Sequence, residues 1–66
     1  MNLIVNEEPL KYEGAPFVES LVEELGAKKA HTALMLNAKI IPVEKWATTA
    51  LMEGDQVEML VFVGGG

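Results

Sequence analysis

One long segment of this chain has the spacing of an amphipathic helix, and that segment limits the folds that the chain can adopt. Within residues 17–25, apolar side chains fall at positions 17, 18, 21, 22 and 25, which is the stripe of a helix with one buried face. Pro16 suits the first helical position and Gly26 suits the residue that follows the helix end. A single helix covers only one face of a small sheet, so the rest of the chain must supply that sheet.

Strand patterns occur on both sides of the predicted helix. Before it, residues 1–6 alternate apolar and mixed positions, and residues 10–12 can return beside them after a turn at 6–9. After it, residues 32–37 and 39–41 form a second hairpin across Asn37-Ala38, and the longest strand, residues 56–63, comes last. Between the strands at 39–41 and 56–63, a single helical turn is expected to place Trp46 at the edge of the core.

This order of elements predicts the topology of the sheet. Two antiparallel hairpins flank one helix, and the last strand, laid parallel beside the first, would centre the sheet and complete a β-grasp, or ubiquitin-like, roll. We therefore predict an α+β fold with a mixed sheet of four or five strands and one main helix packed on one face. Residues 1–66 are expected to form a single domain that ends in a flexible tail at residues 64–66.

Composition argues against several classes of function. The chain has no cysteine, which removes disulfides, cysteine-based zinc sites and thiol catalysis. Its net charge of −5 and its lack of arginine argue against binding to nucleic acid or anionic membranes, and favour partners with basic patches. No apolar run approaches the roughly 18 residues of a membrane span, and no basic segment precedes the first strand as in a signal peptide. We therefore expect a cytoplasmic protein.

The side chains themselves indicate no catalytic or metal site. Ser20 and His31 would have to converge with a carboxylate to form a nucleophile and its base, and nothing in the sequence supplies an oxyanion site or a substrate pocket. His31 is interpreted as a solvent-exposed residue that follows the helix. One histidine with scattered carboxylates gives no metal-ligand spacing.

The terminal Gly64-Gly65-Gly66 is the one feature that could carry chemistry. These glycines directly follow the strand pattern of residues 57–63, without the serine or threonine that is typical of linkers. Glycine has no Cβ, so a Gly-Gly end can enter a narrow channel on another protein and present its carboxylate there. That carboxylate becomes an acyl donor only after activation, for example by adenylation with ATP. A frayed end or an inert linker is the alternative interpretation.

Alternation along the last strand predicts a surface for partners. If positions 57, 59 and 61 face the helix, Leu60 and Phe62 face the uncovered side of the sheet. Ile4, on the neighbouring strand, is expected to lie with them, and Val63 is assigned to the same surface. We predict that these residues bind partners, because exposed apolar groups on a bare sheet face are typical of interaction sites. The alternative is that loops cover them.

A series of spacings in the C-terminal half is specific enough to suggest a family. It consists of Asn37 at the second hairpin, Ile41-Pro42, Trp46, Leu51, Gly54-Asp55-Gln56-Val57-Glu58 and the terminal Gly65-Gly66. With its length and element order, the chain resembles the ThiS family of sulfur carriers in thiamine biosynthesis. The N-terminal half matches that family only in pattern.

The resemblance implies a β-grasp carrier that is not itself an enzyme and holds no permanent cofactor. In that family an E1-like adenylyltransferase of the ThiF type uses ATP and magnesium to adenylate the terminal glycine carboxylate. A cysteine desulfurase relay then supplies the sulfur of a thiocarboxylate, which is donated to a thiazole synthase of the ThiG type. Carried over by position, the modified residue is Gly66, and Gly64 and Gly65 complete the tail motif.

Two positions depart from the family pattern, and other interpretations remain open. Ala38 stands where members commonly have glycine, and a type I′ turn would hold it at positive φ at a cost of about 1 kcal/mol, which favours another turn type. Val43 stands where a basic residue often follows the proline. The alternatives are a small subunit of molybdopterin synthase, a ubiquitin-like modifier joined to lysines, and a binding module with an inert tail.

Overall fold

The centre of the fold is a mixed sheet that one helix covers on one side. A computed structural model of the chain describes residues 1–63, so Gly64, Gly65 and Gly66 lie outside the described residues. The elements are β1 Asn2–Val5, β2 Glu8–Lys11, α1 Val18–Glu24, β3 Thr32–Leu36, β4 Lys39–Ile40 and β5 Gln56–Val61, with 3₁₀ helices at Lys29–His31 and Val43–Thr48. The sheet order is β2-β1-β5-β3-β4. Strand β5 pairs parallel with β1 and antiparallel with β3, which confirms the predicted mixed sheet with the last strand beside the first.

The helix α1 is shorter at its start than the sequence predicts. Phe17 is extended (φ −134°) and precedes the first helical residue, so the prediction that Pro16 opens the helix is wrong. The cause is a competing pairing: the Val18 N–H donates to the Thr49 carbonyl at 3.0 Å, and the Leu51 N–H donates to the Pro16 carbonyl at 2.8 Å. These two bonds hold the segment before the helix as an extended strand-like stretch.

The end of the helix is where the sequence places it. Gly26 has φ +77°, a conformation that glycine adopts without the steric cost of a Cβ. Its N–H donates to the Glu23 carbonyl at 3.0 Å, and the Ala27 N–H donates to the Val22 carbonyl at 3.2 Å. This pair of bonds is a Schellman motif, which satisfies carbonyl groups that the last helical turn leaves unpaired.

The core lies between α1 and the face of the sheet that the helix covers. Nine apolar residues are buried there: Leu3, Tyr12, Val18, Leu21, Val22, Leu34, Trp46, Leu51 and Val57. The predicted position of Trp46 is confirmed, and its indole is more than an edge residue, since it is only 1% exposed. Its Nε1–H donates to the Ile41 carbonyl at 2.8 Å, so the buried indole keeps a hydrogen-bond partner. Within residues 1–63, no helix is long and apolar enough to cross a membrane.

Both hairpins turn through two-residue loops with left-handed backbone. Asn6 and Glu7 have φ of 49° and 68°, and Asn37 and Ala38 have φ of 50° and 69°. Positive φ at both central residues is the signature of a type I′ turn, whose twist matches that of the flanking strands. Ala38 therefore adopts the strained conformation, and the expectation of a different turn is wrong.

The first turn is also shorter than the predicted turn at residues 6–9. Glu8 and Pro9 belong to β2, where they pair with Val5 and Ile4. Proline is tolerated at this position because β2 is an edge strand. Pro9 has no N–H, and its nitrogen faces away from β1, where no strand of the described residues pairs with β2.

Candidate functional site

Strand β5 connects the core of the protein to its C-terminal residues. Near its start, in the middle of the sheet, Val57 is 1% exposed, whereas Val63, two residues beyond its end, is 93% exposed. Thr32 of β3 lies opposite Val61, and the Phe62 N–H donates to the His31 carbonyl at 2.7 Å. Pairing with the β3 side therefore continues to Phe62, four residues before the chain end in the sequence.

The uncovered face of the sheet carries an apolar cluster. The register places Leu60 opposite Ala33, and Met35 opposite both Glu58 and Ile40. These side chains line a shallow cavity of about 150 Å³. Leu60 is 66% exposed and Ile40 is 74% exposed. The cavity is thus an accessible apolar surface that ends beside the carboxylate of Glu58.

The predicted partner residues are exposed, but they do not all lie together. Leu60, Phe62 and Val63 are 66%, 59% and 93% exposed. Ile4 shares the uncovered face but lies opposite Gln56, four residues before Leu60 along β5, so the expectation that it lies with Leu60 is wrong. The separation arises because the parallel register of β1 ends at Val5, near the beginning of β5.

Val61 is more exposed than its face of the sheet suggests, and sequence analysis missed three surface residues on the neighbouring strands. Val61 lies in register with the covered face, yet it is 56% exposed. A helix of seven residues is about 10 Å long, whereas a six-residue strand is about 20 Å long, so α1 cannot cover the whole of β5. Ala33, Met35 and Ile40 were not predicted to join the surface. The two-residue loop at Asn37-Ala38 fixes their register, so the pairing of β3 with β4 was the signal that could have found them.

Two asparagines fasten β5 to the hairpins on either side. The Asn6 side chain bonds both backbone groups of Met59: its Oδ1 accepts the Met59 N–H at 2.7 Å, and its Nδ2 donates to the Met59 carbonyl at 3.3 Å. The Asn37 side chain accepts the Gln56 N–H at 2.9 Å and donates to Asp55 Oδ1 at 3.0 Å. The start and the middle of β5 are therefore each held by a carboxamide from a turn.

The charged side chains of the described residues lie on the surface. One ion pair is present among residues 1–63: the carboxylate of Glu19 accepts a hydrogen bond from Lys29 Nζ and raises the pKa of that ammonium. The backbone N–H of Asn2 donates to Glu53 Oε1 at 2.9 Å and lowers the pKa of that carboxyl group. Burial raises the pKa of the Tyr12 phenol, whose Oη donates to the Ala15 carbonyl at 2.6 Å.

The described residues contain no cluster of three or more potential metal ligands, and none of their buried side-chain polar atoms lacks a hydrogen-bond partner. Ser20 lies within α1, and His31 closes the 3₁₀ helix after it, where it is exposed. The notable chemistry of residues 1–63 is therefore an apolar surface and a central strand that leads into the glycines.

A family model for ThiS matches residues 3–66, which is nearly the whole chain. The chain belongs to the ThiS family. The sulfur carrier protein ThiS of Escherichia coli (strain K12) is 30% identical over 66 residues, and the match covers all of both chains. A crystal structure of the thiamine biosynthesis protein ThiS from Geobacter metallireducens superposes with a TM-score of 0.83 at 36% identity and full coverage of both chains. An NMR structure of a thiamine biosynthesis protein from the same organism superposes with a TM-score of 0.81, and the match covers all of this chain and 88% of the other.

A longer protein also contains a segment that resembles this chain. The thiazole synthase of Paramagnetospirillum magneticum is 35% identical over 66 residues, but the match spans only 20% of its length. The ThiS-family identity confirms the predicted β-grasp fold and the prediction of a sulfur carrier rather than an enzyme. The roles assigned to Gly64, Gly65 and Gly66 fall outside the described residues and stay predictions.

Proposed function

We propose that this chain, a sulfur carrier of thiamine biosynthesis, holds its sulfur as a thiocarboxylate on Gly66 and delivers it to a thiazole synthase. The observation that carries the proposal is the course of β5, which runs from the core to a glycine tail in a chain without cysteine. No side chain can hold a transferable sulfur as a thiol or persulfide. The terminal carboxylate is the group that can hold it, once one oxygen has been replaced.

The replacement requires activation by a partner. A carboxylate oxygen attacks the α-phosphorus of ATP, pyrophosphate leaves, and the product is an acyl adenylate. The terminal sulfur of a persulfide then attacks the carbonyl carbon, and AMP leaves with the oxygen. A thiol of the partner cleaves the S–S bond of the resulting acyl disulfide, which releases the thiocarboxylate and leaves the two partner sulfurs as a disulfide. We assign ATP and magnesium to an E1-like adenylyltransferase of the ThiF type, and the sulfur to a cysteine desulfurase relay. The cytoplasm is the compartment in which we place these steps.

The surface at the end of β5 is suited to bind both partners. We propose that Leu60, Phe62 and Val63 contact the adenylyltransferase and the thiazole synthase, with Ile4 at the far end of the same face. Their exposure supports this role, since each is more than one third exposed and apolar. The net charge of −5 favours partners with basic surroundings, because complementary fields speed the encounter. The thiazole synthase that contains a similar segment supports the choice of that partner.

The proposal is tested by separating docking from chemistry in a reconstituted system. Phe62→Ala should weaken binding to the adenylyltransferase at least about fivefold, because an exposed aromatic residue at an interface commonly supplies more than 1 kcal/mol. Met52→Ala is the matched control, since Met52 is 70% exposed and follows the 3₁₀ helix rather than lying on β5. It should bind like the unmodified chain.

Removal of Gly66 should abolish thiazole formation without changing the melting temperature. Gly65→Ala should slow activation, because a Cβ crowds a narrow channel. Thiazole formation that persists after removal of Gly65 and Gly66 would overturn the proposed function. Equal effects of the Phe62 and Met52 substitutions would overturn the assignment of the docking surface.

A further inference from the structure

The Asn6 side chain extends the parallel ladder between β1 and β5 beyond the end of β1. The backbone bonds of that ladder run from the Ile4 N–H to the Asp55 carbonyl at 2.9 Å and from the Asn6 N–H to the Val57 carbonyl at 2.8 Å. The next groups along β5 on that side belong to Met59. The Asn6 carboxamide bonds both of them, so one side chain acts as one more residue of the strand.

This contact marks a change in how β5 is held. Up to Met59, β5 has hydrogen-bond partners on both sides, from β1 or Asn6 on one side and from β3 on the other. Beyond Met59 the partners recorded for residues 60–63 come from the β3 side, ending with the bond from the Phe62 N–H to the His31 carbonyl. The contact with Asn6 is therefore the last point at which β5 has partners on both sides before the segment that leads to Gly66.

We propose that Asn6 is a positioning residue for the loading of Gly66. By holding Met59, its carboxamide limits the movement of the end of β5, where residues 60–62 are paired with the β3 side alone. This inference rests on the proposed function of Gly66. The physical reason is entropic: without the Asn6 contact, the end of β5 is held from one side and frays from β3 more often. A smaller fraction of molecules then presents Gly66 in the geometry that the partner binds.

The second hairpin supplies a closely matched control. Asn37 also opens a two-residue type I′ loop, its φ of 50° nearly equals the 49° of Asn6, and its side chain also bonds the backbone of β5. It holds Gln56, however, at the beginning of the strand and far from the tail. Asn6→Gly and Asn37→Gly both keep a backbone that glycine adopts readily, and both remove one carboxamide. They differ mainly in where along β5 the attachment is lost.

The experiment combines amide hydrogen exchange with steady-state loading of the full-length chain. In Asn6→Gly, exchange at Met59 and at Phe62, whose N–H donates to the His31 carbonyl, should rise at least about tenfold over the unmodified chain. Asn37→Gly should raise exchange at Gln56 and leave Phe62 within about twofold. In loading by the adenylyltransferase, ATP and a sulfur source, Asn6→Gly should raise the KM for the carrier about fivefold or more with little change in kcat. Asn6→Asp, which keeps the oxygen that accepts the Met59 N–H, should recover part of the loss.

The outcomes separate a positioning role from general destabilisation and from the proposed function. Equal KM values for Asn6→Gly and Asn37→Gly, or unchanged exchange at Met59 in Asn6→Gly, would overturn the role of Asn6. If the unmodified chain gains no sulfur, the proposed function of Gly66 fails and the positioning role for its loading falls with it. If the unmodified chain loads and Asn6→Gly loads with the same KM, only the role of Asn6 fails.

Discussion

The left-handed conformation of Ala38 makes a sharp prediction about stability. Ala38 has φ +69° and is exposed, so replacing it by glycine removes steric strain and no packing. A residue with a Cβ destabilises the fold by roughly 1–2 kcal/mol when it adopts the left-handed conformation, and glycine removes this cost. Glycine also has more freedom in the unfolded chain, which lowers stability by about 0.5–1 kcal/mol and offsets part of the improvement. Ala38→Gly should therefore raise the free energy of unfolding by about 0.5–1 kcal/mol. For a domain of this size, that corresponds to a rise of roughly 4–7 °C in melting temperature.

Urea titration and calorimetry measure the change, and Ala47→Gly is its control. Ala47 is also exposed, but it lies in the 3₁₀ helix Val43–Thr48 and has no positive φ. The same substitution there should lower the free energy of unfolding by about 0.5–1 kcal/mol, because glycine loses more chain entropy without relief of strain. A decrease in stability for both variants would refute the type I′ conformation of the Asn37-Ala38 loop.

Two further predictions concern the N-terminal half of the core and the acid limit of stability. Gly14→Ala should lower the free energy of unfolding by about 1–3 kcal/mol, because its Cβ would lie 2.6 Å from the hydroxyl oxygen of buried Tyr12; an unchanged urea midpoint would contradict that close contact. The pKa of Glu53 is lowered in the fold by the N–H of Asn2, so its contribution to stability is present above its unfolded pKa and is lost as the pH falls through the lower folded value. The unmodified chain should therefore lose more stability than Glu53→Gln between about pH 5 and pH 3, and parallel acid titrations would contradict this role.

The elements that sequence analysis predicted well are those whose signals are local. The apolar stripe of α1 and the position of Gly26 each depend on a few adjacent residues, and the structure confirms both the helix and its end. The parallel pairing of β1 with β5 is a long-range feature, yet it was predictable because a small sheet covered by one helix has few ways to place a last long strand.

The features that sequence analysis missed depend on competition between distant segments. Pro16 fails to start the helix because a distant strand-like segment pairs with the residues around it, which no local pattern shows. Ile4 is separated from Leu60 because alternation gives the face of a residue but not its position along the strand. The contact between Asn6 and Met59 joins residues 53 positions apart, so a turn asparagine gave no sign of its second role.

The central claim, that Gly66 carries the sulfur, is tested most directly by mass spectrometry of the intact chain. The chain is incubated with the E1-like adenylyltransferase, ATP, magnesium and a cysteine desulfurase sulfur source, and the product is then fragmented to locate the change. The account predicts that one sulfur replaces one oxygen and that the new mass lies on the fragment that ends in Gly66. Sulfur found on any other residue, or gained by a chain that lacks Gly65 and Gly66, would contradict it.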